Sequence, residues 1–88
     1  MKIRPPFKLS VLRAVVSLGE ASARDVVRTL ASTYPGERQL REAAIENHLL
    51  SLRAVGLVEL HAQKPDAPAV FTATPQGLAR LNLYLPGK

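Results

Sequence analysis

The sequence contains no cysteine, which removes disulfides and thiolate metal sites and suits a reducing compartment. Apolar residues make up 47% of the chain, yet no uninterrupted apolar tract is long enough to cross a bilayer. A globular chain without membrane insertion is therefore expected. No internal repeat, low-complexity tract or domain-dividing linker is present. With 88 residues, the chain has one modest core, because a domain of this size buries only about two thirds of its unfolded surface. Catalytic patterns are missing as well: there is no carboxylate pair, glycine-rich phosphate loop, serine-nucleophile motif or metal-ligand spacing. His48 and His61 fall on different elements, and His48 sits at the edge of an apolar face, as a core histidine does. No enzymatic activity, metal or cofactor is expected.

Acids are scarce, seven against twelve lysines and arginines, for a net charge of +5. The excess is uneven. Residues 1–19 hold Lys2, Arg4, Lys8 and Arg13 and no acid, whereas 20–56 balance five bases against five acids. A basic excess suits a polyanion such as nucleic acid and serves solubility equally well. The start of the chain has basic residues and then an apolar run, somewhat like a signal peptide. Lys8 and Arg13 interrupt that run, and its removal would take much of the core, so a cytoplasmic chain that keeps the segment is expected.

Several elements are legible along the chain. Pro5 and Pro6 deny helix to the residues before them, making 1–6 an extended basic arm. Leu9, Leu12, Val15 and Val16 recur at helical spacing from Phe7 to about Leu18, and Gly19 ends the run. Ser22 with Asp25 reads as a capping arrangement for a second helix. Its Ala23, Val26, Val27, Leu30 and Ala31 face inward, with Arg24, Asp25, Arg28 and Ser32 outward. After "TYPGE", a third helix is expected over roughly 38–55, with Ile45, His48, Leu49, Leu52 and Val55 inside. Gln39, Ala43, Glu46, Asn47, Leu50 and Arg53 then lie outside, and Gly56 is a left-handed stop. "LVELHAQ" alternates Val58, Leu60 and Ala62 against Glu59, His61 and Gln63, as a half-buried strand does, and "AVFTA" is its partner across the "KPDAP" loop. Thr74 caps a last helix with Pro75 at its first position, carrying Leu78, Leu81 and Leu85.

Three short helices, a two-stranded hairpin and a closing helix describe an α+β, mainly helical fold: a helix-turn-helix domain with a wing, over 7–85, followed by a short tail at 86–88. Two stretches carry a family resemblance. "AIENHLLSLRAVGLVEL" (44–60) resembles the end of a recognition helix leading into a wing, and "FTATPQG" (71–77) resembles the aromatic-x-leucine-threonine-proline-x-glycine signature that closes the wing, with Ala73 where leucine is usual. The chain thus resembles the winged helix-turn-helix transcriptional regulators of the PadR-like and MarR-like groups.

The resemblance implies a sequence-specific regulator of double-stranded DNA, by expectation a repressor, that acts by occupying an operator with its third helix in the major groove. Carried over by position, Gln39, Ala43, Glu46, Asn47 and Leu50 form the base-reading face. Asn47 suits adenine and Glu46 a cytosine amino group. Arg24, Arg28, Arg53 and Lys64 would meet phosphates. Against this, Arg38, Arg41 and Arg53 are offset by Glu37, Glu42 and Glu46, so the third helix is not strongly basic. A winged helix that binds protein through Leu50 is the alternative. A homodimer is expected, with Phe7, Val11 and the leucine-rich last helix in the seam. A small-molecule effector is not expected, because the chain has no room for a separate ligand-binding domain.

Overall fold

In a computed structural model, residues 7–38, 40–61 and 69–84 are described, Tyr84 by its backbone alone. The elements run α1 (Phe7–Leu18), α2 (Ala23–Ala31), α3 (Glu42–Ala54), β1 (Val58–His61), β2 (Val70–Ala73) and α4 (Pro75–Tyr84). The expected arm at 1–6, the hairpin loop with Ala62, Gln63 and Lys64, Leu85 and the tail lie outside the described residues, as does Gln39.

Helix α1 is the hub, packing against α2, α3, β2 and α4. This explains why it buries two faces: Leu9, Leu12 and Val15 as the spacing predicts, and also Val11 and Ala14. Val11 is 0% exposed, so the expectation that it lies in a dimer seam is corrected. Its side chain is spent inside the domain. Phe7 is half-buried and packs edge-on against Tyr34, with ring centroids 5.5 Å apart. Ser10 is buried too, its hydroxyl 2.8 Å from that of Tyr34.

Helix α2 starts as its sequence dictates. Ser22 accepts from the Asp25 amide while the Asp25 carboxylate accepts from the Ser22 amide, a reciprocal cap that satisfies two helix-end donors. Val26 and Leu30 are buried, and Ala31, expected on the inner face, is exposed at the helix end.

Helix α3 begins four residues later than expected. The chain turns through Tyr34–Glu37 and again at Leu40, whose amide bonds to the Glu37 carbonyl. Arg41 then sits in extended backbone as the N-cap, with no side-chain cap. Arginine lacks the short acceptor that marks a helix start, so the boundary has no local signal. At the far end, the Leu57 amide bonds to the Leu52 carbonyl and the Gly56 amide to that of Arg53, with Gly56 at φ +83. This double closure needs a left-handed residue and brings the apolar side chain after it back onto the helix. Leu57 therefore enters the core. Val55, expected on the inner stripe, is 67% exposed.

The hairpin is antiparallel, pairing Val58 with Ala73 and Leu60 with Phe71, and Val58 and Phe71 point into the core. Phe71 makes a second pairing on its other edge, exchanging both backbone hydrogen bonds with Ala21 in the α1–α2 turn. The corner into α4 is triply tied. The Thr74 amide bonds to the Leu57 carbonyl, its hydroxyl donates to the Gly56 carbonyl at 2.7 Å, and the same oxygen accepts from the Gly77 amide. Gly77 rests directly on the Leu57 carbonyl, where a Cβ would collide. Of the α4 leucines, Leu81 is buried, whereas Leu78 and Leu83 are 45% and 76% exposed. The result is an α+β, mainly helical domain of four helices and a two-stranded antiparallel hairpin among the described residues. None of those helices is long and apolar enough to cross a membrane.

Candidate functional site

Helix α3 is anchored along one stripe only. Ile45, Leu49 and Leu52 are buried against α1, α2 and β1. Their spacing leaves the opposite side to solvent: Ala43, Glu46, Asn47 and Arg53 are exposed, and Leu50 is 39% exposed among them. The structure thus brings together five of the site residues read from the sequence. Arg24 and Arg28, one turn apart, are exposed on α2. Gln39 and Lys64 lie outside the described residues, so the proposed base reader before α3 and the proposed loop cation have no placement.

Arg24 has a partner that sequence spacing did not reveal. Its Nε donates to Glu42 Oε2 at 3.2 Å, tying the start of α2 to the start of α3. Both side chains are more than half exposed, so the pair contributes at most about 1 kcal/mol and is screened by salt. Glu42 also lies in the first turn of its helix, where a carboxylate is favoured by the exposed amides. Eighteen residues separate the two partners, and only the packing of α2 on α3 brings them together.

Glu42 and Glu46 face a cleft of about 310 Å³ between the starts of α2 and α3 and the strand β2, lined also by Arg24, Ser22 and Phe71. With α3 starting at Glu42, the helix holds two carboxylates and one guanidinium, Arg53, in its last turn. Its face is more acidic than the longer helix expected from the sequence, because Arg38 and Arg41 precede it. Arg53 lines a cleft along the hairpin with Glu59, His61 and Gln76. There the His61 Nε2 and Thr72 hydroxyl sit 2.8 Å apart across the strands, holding the outer face of the hairpin in register.

His48 occupies the flank of α3, half-buried, with its ring 5.5 Å from that of Phe7. Burial, and then the Lys8 ammonium, hold its imidazole below the ordinary value of 6.5. This environment suits a packed neutral histidine. Among the described residues, no group of three or more histidine, aspartate or glutamate side chains could hold a metal ion.

No protein-family model matches the chain, and no curated protein matches it.

Proposed function

We propose that the chain is a winged helix-turn-helix regulator that binds double-stranded DNA, with α3 as the recognition helix and the β1–β2 hairpin as its wing. One observation carries this reading. Helix α3 is held from behind by Ile45, Leu49 and Leu52, while Ala43, Glu46, Asn47, Leu50 and Arg53 stay open to solvent beside a hairpin. A major groove admits a helix presented in this way. Asn47 suits an adenine edge and Glu46 a cytosine amino group, while Arg28 and Arg53 are exposed cations for flanking phosphates. Arg24 would have to exchange Glu42 for phosphate, and Lys64 extends the same expectation to the hairpin loop. Pairing of two copies through the exposed Leu78 and Leu83 of α4 would present two such helices to half-sites about 34–36 Å apart.

Selection of bound sequences from a random duplex library tests the proposal. The expected outcome is an enriched motif. Affinity of the paired copies should fall on the order of ten-thousandfold between 50 and 200 mM salt, as roughly four phosphate contacts per copy at Arg24, Arg28, Arg53 and Lys64 require. Absence of any enriched motif, or affinity indifferent to salt, counts against it.

A second reading, a protein-binding winged helix, has its own observation. The exposed side of α3 carries Glu42 and Glu46, Arg24 is already paired, and Leu50 stands partly bare among them. A packed protein interface there would be lost on Leu50→Asp and would respond little to salt.

A further inference from the structure

On another flank of α3 lies a groove of about 310 Å³, formed where the helix's last turns meet the start of α1 and the middle of α4. Leu9, Leu52 and Leu57 supply apolar walls from the core, and Val55 stands at the lip with 67% of its surface bare. The double closure at Gly56 produces this arrangement, turning Leu57 in and leaving Val55 out. Among the described residues, Lys8 and Arg80 complete the rim, Ser51 is the remaining lining residue, and no acid lines the groove. Neither cation is engaged in an ion pair among the described residues. An apolar slot with two cations at its edge is complementary to apolar side chains flanked by carboxylates.

We infer that this groove is a docking site for an acidic amphipathic helical segment of another protein, with an apolar side chain set between Val55 and Leu57 and its carboxylates on Lys8 and Arg80. A second copy's α4 does not supply that chemistry. Residues 67–88 contain no aspartate or glutamate, so that helix would bring Arg80 against Arg80. Leu78 is two positions from Arg80 and therefore on the far side of α4, away from the groove, while Leu83, three positions from Arg80, shares its side but brings no carboxylate. The inference does not depend on α3 reading DNA.

Fluorescence anisotropy with a labelled synthetic helix, leucine at every third and fourth position and glutamate between, tests it on the full chain. The glutamate peptide should bind. Versions with lysine for glutamate, or serine for leucine, should bind at least about tenfold more weakly. Val55→Asn and Arg80→Glu should each cost about tenfold for the acidic peptide, and Arg80→Glu should also strengthen the lysine peptide. Both positions are exposed, so circular dichroism should show both variants folded, and Lys8→Glu provides a third rim variant from a different helix. The inference is overturned if the acidic peptide does not bind, if binding ignores the sign of its charge, or if Val55→Asn leaves it unchanged. Displacement of the peptide by an equal concentration of random-sequence duplex would also overturn it, assigning Lys8 and Arg80 to nucleic acid.

Discussion

Gly77 shows how one residue can be fixed by what faces it. It lies in the first turn of α4, where alanine would ordinarily gain about 0.5–1 kcal/mol over glycine. Here the added methyl would meet the Leu57 carbonyl, a backbone atom held in place by the Thr74 amide. Overpacking of this kind costs about 1–3 kcal/mol and outweighs the propensity gain. Gly77→Ala should therefore lower the urea midpoint, and an unchanged or higher midpoint would contradict the packing described. His48 makes a different residue-scale prediction. Because its folded-state value is depressed, the unfolded chain takes up the proton first as pH falls. The stability contributed by the neutral, packed ring is complete above 6.5 and is lost as pH falls through the lower folded-state value. The melting temperature should drop across that window. His48→Gln should flatten the drop, and an unaltered pH profile in the variant would remove His48 as its source.

At the scale of elements, local chemistry was legible and long-range chemistry was not. The Ser22–Asp25 box, the Gly56 stop, the Thr74–Pro75 start and the alternation of Val58, Glu59, Leu60 and His61 each depend on residues a few positions apart, and each is found as read. The start of α3 differs from the expected one because Arg41 carries no capping signal. Helical spacing puts Val55 inward, but the helix ends at Ala54, one residue before it, and Gly56 then reverses the chain. The Arg24–Glu42 pair, the Ala21–Phe71 bridge and the Ser10–Tyr34 bond join residues distant in sequence, and nothing local foretells them. The exposed side of α3 was legible because its inner stripe was. What that side binds follows from the family resemblance and stands as a proposal. Two substitutions probe it. Arg28→Ala should weaken binding to all duplexes alike and reduce the salt slope by about one. Glu46→Gln separates two roles by sign. As a cytosine acceptor its loss relaxes preference at one base, and as a repulsive charge its loss tightens binding everywhere by a few tenths to about 1 kcal/mol. No change in Glu46→Gln would argue that α3 does not meet DNA, and no change in Arg28→Ala that α2 does not.

For the whole molecule, the hub position of α1 decides which surfaces remain for partners. Packing α1 against four other elements consumes Val11 entirely and much of Phe7, so the proposed pairing of two chains would fall to α4, where Leu78 and Leu83 are exposed. Sedimentation should show a dimer that Leu78→Glu converts to a folded monomer. A monomer at high concentration of the unaltered protein would rule that pairing out. The most direct measurement of the central proposal is the affinity of wild type and Asn47→Ala for a selected duplex and for a scrambled one, at a single salt concentration. If α3 reads bases, the substitution should cost about 1–3 kcal/mol on the selected duplex and leave the scrambled one nearly unchanged. Equal affinity of the two proteins for the selected duplex, or an equal loss on both duplexes, would contradict it.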